Sequence, residues 1–164
     1  MQQIARFIDA LNEFIGRYSS YLILLLIGVV GFEVLMRYAF NAPTVFAFEL
    51  TVFIYGVHYS LALAYAHKHN THVSIDIFES RLPQRSRTLM RIIVYLVIFV
   101  PTIGLLTVGS IRYAMDSFSV RELASSSWAP AIYPYKALMA IGLILWFLQG
   151  LGRMVDDFRS LRHP

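Results

Sequence analysis

Four apolar stretches, each long enough to cross a lipid bilayer, constrain this chain more than anything else in it. They run roughly over Ser20–Tyr38, Phe46–Ala66, Leu89–Ile111 and Tyr135–Val155. A helix rises ~1.5 Å per residue, so about 20 residues match the ~30 Å hydrocarbon core of a membrane. Composition agrees, since 57% of the residues are apolar and only 15% are charged. A soluble domain of ordinary composition carries about 25% charge. The spans leave only short loops and tails, so residues 1–164 are expected to form a single all-α integral membrane domain with four transmembrane helices.

Absences narrow the chemistry. There is no cysteine, which excludes disulfides, thiolate metal sites and cysteine nucleophiles. No Ser/His/Asp set, Walker loop or dinucleotide glycine pattern occurs. No enzymatic activity, cofactor or metal is therefore expected. The formal charge of +4 has nothing of a basic base-reading helix about it, and nucleic acid is not an expected partner.

The placement of that charge predicts topology. Arg6, Arg17, Lys68, Arg81, Arg85, Arg87, Arg91, Arg153, Arg159 and Arg162 fall on the side shared by the two termini and the second loop. The opposite side has only Arg37, Arg112, Arg121 and Lys136. By the positive-inside rule both termini are expected to be cytoplasmic. Arg85, Arg87 and Arg91, at the start of the third span, are expected to anchor the chain on anionic lipid.

Ahead of the first span, Ile4, Phe7, Ile8, Leu11, Phe14 and Ile15 recur every three or four residues, with Gln2, Arg6, Asp9, Asn12, Glu13 and Arg17 between them. This pattern predicts an amphipathic helix over 1–17, lying in the membrane interface or docked on a partner. The segment lacks the short apolar core and small-residue site of a cleaved signal and is expected to be retained.

Three charges lie where lipid tolerates them poorly: Glu33 and Arg37 in the first span and Glu49 in the second. Such residues at mid-bilayer normally face protein or water. The turn Asn41-Ala42-Pro43-Thr44 makes the first two spans antiparallel neighbours, with Thr44 a candidate N-cap. An intramembrane ion cluster of Glu33, Arg37 and Glu49 is expected, Arg37 bridging one or both carboxylates. The alternatives are a proton or substrate site and an Arg37 that snorkels alone. Gly56, Ser60 and Ala64 form a small-residue stripe suited to close helix packing. His67, His69 and His72 suggest a metal, but nothing fixes their geometry. Pro101 predicts a kink in the third span. The long loop Arg112–Ala131 precedes a fourth span that opens Tyr133-Pro134-Tyr135-Lys136.

Taken in order, Glu33-x3-Arg37-Tyr38-x-Phe40-Asn41-x-Pro43-Thr44-x2-Ala47-x-Glu49, His72-Val73-x-Ile75-Asp76 and Pro134-Tyr135-Lys136 resemble the small membrane (Q-type) subunit of TRAP (tripartite ATP-independent periplasmic) transporters. The resemblance covers most of the chain. It departs from the family's pattern at Phe46-Ala47, where a tryptophan often stands, though an aromatic is kept.

The resemblance implies a sodium-driven uptake system for organic acid anions. In it a periplasmic substrate-binding protein delivers to a large multi-span membrane subunit, and the small subunit scaffolds that subunit. Substrate and sodium sites are then expected in the large partner and not here. Arg37 and Glu49 would belong to the outer hairpin, and His72 and Asp76 would order the cytoplasmic crossover. Arg121, Glu122 and Trp128 in the outer loop are expected to help meet the binding protein. The rival reading is a self-sufficient four-span proton-coupled exporter that uses Glu33. It requires an unpaired, accessible carboxylate, yet Arg37 lies one turn away.

Overall fold

The computed structural model describes residues 2–69 and 83–162. Among the described residues six α-helices follow in order: α1 (Gln2–Ser19), α2 (Leu22–Tyr38), α3 (Ala47–Lys68), α4 (Gln84–Val94), α5 (Val100–Ser119) and α6 (Tyr133–Arg162). A five-residue π-helical turn, Tyr95–Phe99, joins α4 to α5. Four helical stretches are long and apolar enough to cross a membrane: Phe7–Tyr38, Ala47–Lys68, Gln84–Ser119 and Tyr133–Leu161. The chain is thus an all-α membrane protein. The helices overrun the apolar stretches that announce them, because charged and polar residues continue the helix beyond the hydrocarbon.

The centre of the molecule is the contact between α3 and α6, the most extensive between any two helices. Apolar side chains gain little by leaving lipid for protein, so such a contact depends on small residues that let backbones approach. A Cβ added to Gly142 on α6 would lie 2.6 Å from the Ser60 carbonyl carbon on α3, and one added to Gly56 would run into the Tyr135 ring. Ser60 and Ala64 are buried. The stripe noted in the sequence therefore lies on the face of α3 that meets α6. On the other flank α5 packs on α6, burying Ile103 and Thr107.

α1 and α2 form one long arm, bent at Ser20–Tyr21. Glu13 lies by Lys68, Gly16 by Tyr65, Ser19 by His58 and Glu33 by Thr44. These pairs run in opposite order along the two segments, so the arm is antiparallel to α3. α2 has no buried residue. Its main helix contacts are with α3 and α1, leaving Leu24, Ile27 and Leu35 more than half exposed.

The kink expected at Pro101 takes the form of the π-helical turn just before it. Proline has no N–H, and its ring crowds the carbonyl four residues back. The chain accommodates this by widening to i→i+5 bonding, with the Val100 N–H donating to the Tyr95 carbonyl. The wide turn carries Phe99 onto α6, where its ring stands 5.9 Å from Trp146 and where a Cβ on Gly150 would collide with it.

Because the Ser60 main chain cannot retreat, Gly142→Val is expected to destabilise the bundle by ~1–3 kcal/mol through overpacking. Gly109→Ala, where nothing lies within 4 Å, should leave stability unchanged or slightly raised. Thermal melting in detergent, read by size exclusion, checks the pair.

Candidate functional site

At the hairpin end of the bundle, Glu33 is the hub. The Arg37 guanidinium donates through Nη2 at 2.6 Å and Nε at 3.1 Å to Glu33 Oε1. The other oxygen, Oε2, accepts the Thr44 N–H at 3.2 Å and the Thr44 hydroxyl. Both carboxylate oxygens are therefore engaged, one by the same helix and one by the turn. Asn41, with φ 51, supplies the left-handed residue that lets the turn fold back so tightly.

Two expectations are corrected here. Thr44 does not cap α3: the helix starts at Ala47 after Phe46, with no side-chain cap, because the Thr44 hydroxyl is given to Glu33. The expected cluster of three is also reduced: Arg37, expected to bridge one or both carboxylates, engages Glu33 and not Glu49. Its ion pair is with Glu33, whereas Glu49 Oε2 is buried without a hydrogen-bond partner. Spacing placed the three residues at one depth but could not say which way Glu49 turns in the first turn of α3.

The second hairpin-end feature is the loop between α5 and α6. It folds back on itself through Ile132 N–H to Glu122 O at 3.1 Å, Ala124 N–H to Pro130 O at 2.9 Å and an isolated antiparallel bridge between Leu123 and Ala131. Arg121 (φ 47) and Ala129 (φ 46) make the reversals. Lys136, only 8% exposed, reaches from α6 to donate to Glu122 Oε2 at 2.5 Å while lying 3.7 Å from the Tyr113 ring centroid. This cation–π contact ties α5 to the same ammonium. Trp128 stands 6.0 Å from Phe46, which stacks 6.4 Å from Phe32. The loop is thus fastened to α2, α3, α5 and α6.

Of the three residues expected to meet a partner, Glu122 and Trp128 hold the loop in place and Arg121 is exposed. The pairing of Lys136 with Glu122 was not read from the sequence. Its signal is a lone lysine at the start of an apolar span, which needs a carboxylate nearby.

At the opposite end, α1 turns its polar residues toward its own bundle. Asn12, 1% exposed, donates to Gln149 Oε1 at 2.6 Å, and Gln149 Nε2 donates to Asp9 Oδ1 at 2.9 Å. Lys68 and His69 both donate to Glu13 Oε2, at 2.8 and 3.0 Å. Phe7, Phe14 and Tyr18 face outward instead. The polar strip read from the periodicity is real, but part of it meets α3 and α6 rather than water. Deeper in, the Tyr95 hydroxyl and His67 Nε2 are 2.8 Å apart, and Arg153 donates to the His67 carbonyl at 2.5 Å.

Among the residues named from the sequence, Arg85 is exposed and Arg87 partly so, while Arg91 Nη2 lies 3.6 Å from Asp157 Oδ1. His72 and Asp76 lie outside the described residues. Among the described residues no three His, Cys, Asp or Glu side chains converge as metal ligands would.

The arrangement is a four-span helical membrane protein whose buried charges are, with the exception of Glu49, engaged with one another and with the backbone. The model of the DctQ component of tripartite ATP-independent periplasmic transporters matches residues 26–160. The chain belongs to that family and is a component of such a transporter. It is also 25% identical over 146 residues to the sialic acid TRAP transporter permease protein SiaT of Haemophilus influenzae (strain 86-028NP), covering 88% of this chain and 23% of that protein. The chain thus spans about a quarter of the length of the curated relative it matches.

The Lys136 ammonium holds the Glu122 carboxyl below the usual carboxylate range. A depressed carboxyl pKa contributes stability that is complete above the unfolded value, ~4.3, and is lost as pH falls through the lower folded value. In a Trp146→Phe background, Trp128 emission should therefore hold steady from neutrality to about pH 5 and shift red in stronger acid. Glu122→Gln should show the shifted spectrum already at neutral pH.

Proposed function

We propose that this chain is the non-catalytic small permease component of a sodium-driven TRAP uptake system for organic acid anions. It scaffolds the large transport subunit and helps dock the periplasmic binding protein. The observation that carries this reading is the family match over 26–160. On this reading the transport path, with its sodium and substrate sites, belongs to the large transport subunit. Sialic acid, named for the relative, is itself an organic acid anion.

The side-chain geometry supports a scaffold. A transport carboxylate must exchange its proton or ligand, yet both oxygens of Glu33 are bonded, to Arg37 and to Thr44. This speaks against the proton-coupled exporter. The exposed apolar face of α2 offers room for a large membrane partner. The fastened loop between α5 and α6, with Arg121 outward, offers a preformed surface to the binding protein, and a mixed-charge contact there would be reversible. The basic residues of α4 and the termini then lie on the cytoplasmic side of the inner membrane.

Gentle detergent extraction of the tagged chain from its native membranes, followed by mass spectrometry, tests the assignment. A stoichiometric large polytopic partner is expected, and recovery as a homo-oligomer alone would overturn it. Because the chain has no cysteine, Ser127→Cys provides a single label for orientation. An impermeant maleimide added from the periplasmic side should modify it in intact spheroplasts, and labelling only after lysis would reverse the topology.

A further inference from the structure

A cavity of about 180 Å³ opens between α1, α3 and α6 at the end of the bundle that carries the N-terminus. Its polar wall is Asp9, Lys68, Gln149, Arg153 and Asp156. Its apolar wall includes Ile8 and Leu148. We propose that it binds one phospholipid whose headgroup carries both a phosphate and a primary ammonium.

Position comes first. Lys68 is the last residue of α3, and along α6 the wall passes from Leu148 to Asp156, across the point where the apolar stretch ends. The cavity therefore straddles the boundary between hydrocarbon and headgroups, with the exposed Phe7 of α1 beside its apolar wall in sequence. A molecule that is ionic at one end and apolar at the other matches such walls.

Charge selects the headgroup. Lys68 is shared with Glu13 Oε2 and the Asp9 carbonyl, which accounts for two of its three protons. Arg153 spends Nη1 on the His67 carbonyl and has further guanidinium donors. These two cations suit a phosphate, for which arginine's fork is well shaped. Asp9 Oδ1 accepts from Gln149 and Asp156 Oδ1 lies 3.4 Å from Arg159 Nη1, so each carboxylate keeps one oxygen for a ligand. With Glu13 and Arg159 counted, the cations Lys68, Arg153 and Arg159 balance the carboxylates Asp9, Glu13 and Asp156, which suits a headgroup of no net charge. The two wall carboxylates suit an ammonium that can donate N–H bonds, which a quaternary ammonium cannot. A zwitterion with a primary amine satisfies both halves of the wall.

Gly152 keeps the space open. It lines the cavity, and a Cβ added there meets nothing within 4 Å. A side chain at this position starts without striking the protein and grows beside the cavity it lines, and glycine is the poorest helix former after proline, so replacing it does not penalise α6. This separates loss of a ligand from loss of fold.

The full-length chain in detergent is offered equimolar phosphatidylethanolamine, phosphatidylglycerol and phosphatidylcholine of matched acyl chains, and adducts are read by native mass spectrometry. Phosphatidylethanolamine should be retained about fivefold or more over the other two. Gly152→Leu should bring it down to their level with an unchanged melting profile. Asp156→Asn, at a side chain 66% exposed and so tolerated by the fold, should narrow the preference over phosphatidylcholine. Excess O-phosphoethanolamine should not displace the lipid, because it cannot use the apolar wall. Equal retention of the three lipids would overturn the proposal, as would preference for phosphatidylglycerol or undiminished binding by Gly152→Leu. Displacement by the free headgroup would replace the lipid with a soluble zwitterion.

Discussion

Within a membrane the hydrophobic effect does not press helices together, because lipid tails are as apolar as leucine. What brings this bundle together is the close approach of two backbones, α3 and α6, where Gly142 meets the Ser60 main chain. The other elements are placed relative to that contact. α5 lies along one flank of α6, the α1–α2 arm lies along α3, and the π-helical turn swings Phe99 over Gly150. A shift of α6 against α3 by even one turn, ~5.4 Å, would separate Gln149 from Asn12 at one end and Lys136 from Glu122 at the other.

Polar groups serve as fasteners at the two ends rather than as a conduit through the middle. At the hairpin end, Glu33 ties α2 to the turn and Lys136 ties α6 to the loop and to α5. At the other end, Gln149 and Lys68 hold α1 against the bundle. Between them lie mostly hydroxyls that return their protons to the backbone of their own helix, as Ser60 does to Val57 and Thr107 to Ile103. This division is the one the proposed scaffold role calls for.

Much of this was legible in the chain. Span count and helix identity follow from apolar length, which lipid leaves little freedom to override. The distortion before Pro101 follows from the missing N–H. Gly56 and Ser60 lie where α3 meets α6. The side taken by α1's polar strip was not legible, because periodicity separates two faces without saying whether a polar face meets water or other polar residues. Its partners, Lys68 and Gln149, are 55 to 137 residues away in sequence. For the same reason the separation of Glu49 from Arg37, the diversion of Thr44 to Glu33 and the burial of Lys136 needed three dimensions. Each turns on a rotamer or a loop path that spacing does not encode.

α6, the last helix of this sequence, touches α1, α3, α4 and α5. That has a consequence for how the molecule comes into being. The spans ahead of it emerge from the ribosome with their mutual wedge still missing, and Asn12 must wait for a glutamine 137 residues downstream. At ~5–20 residues per second of synthesis, the amide on α1 spends on the order of ten seconds without its eventual acceptor. Through that interval it must stay near water or borrow a temporary companion. Assembly of this bundle is therefore a post-insertion event, set off by the arrival of one helix.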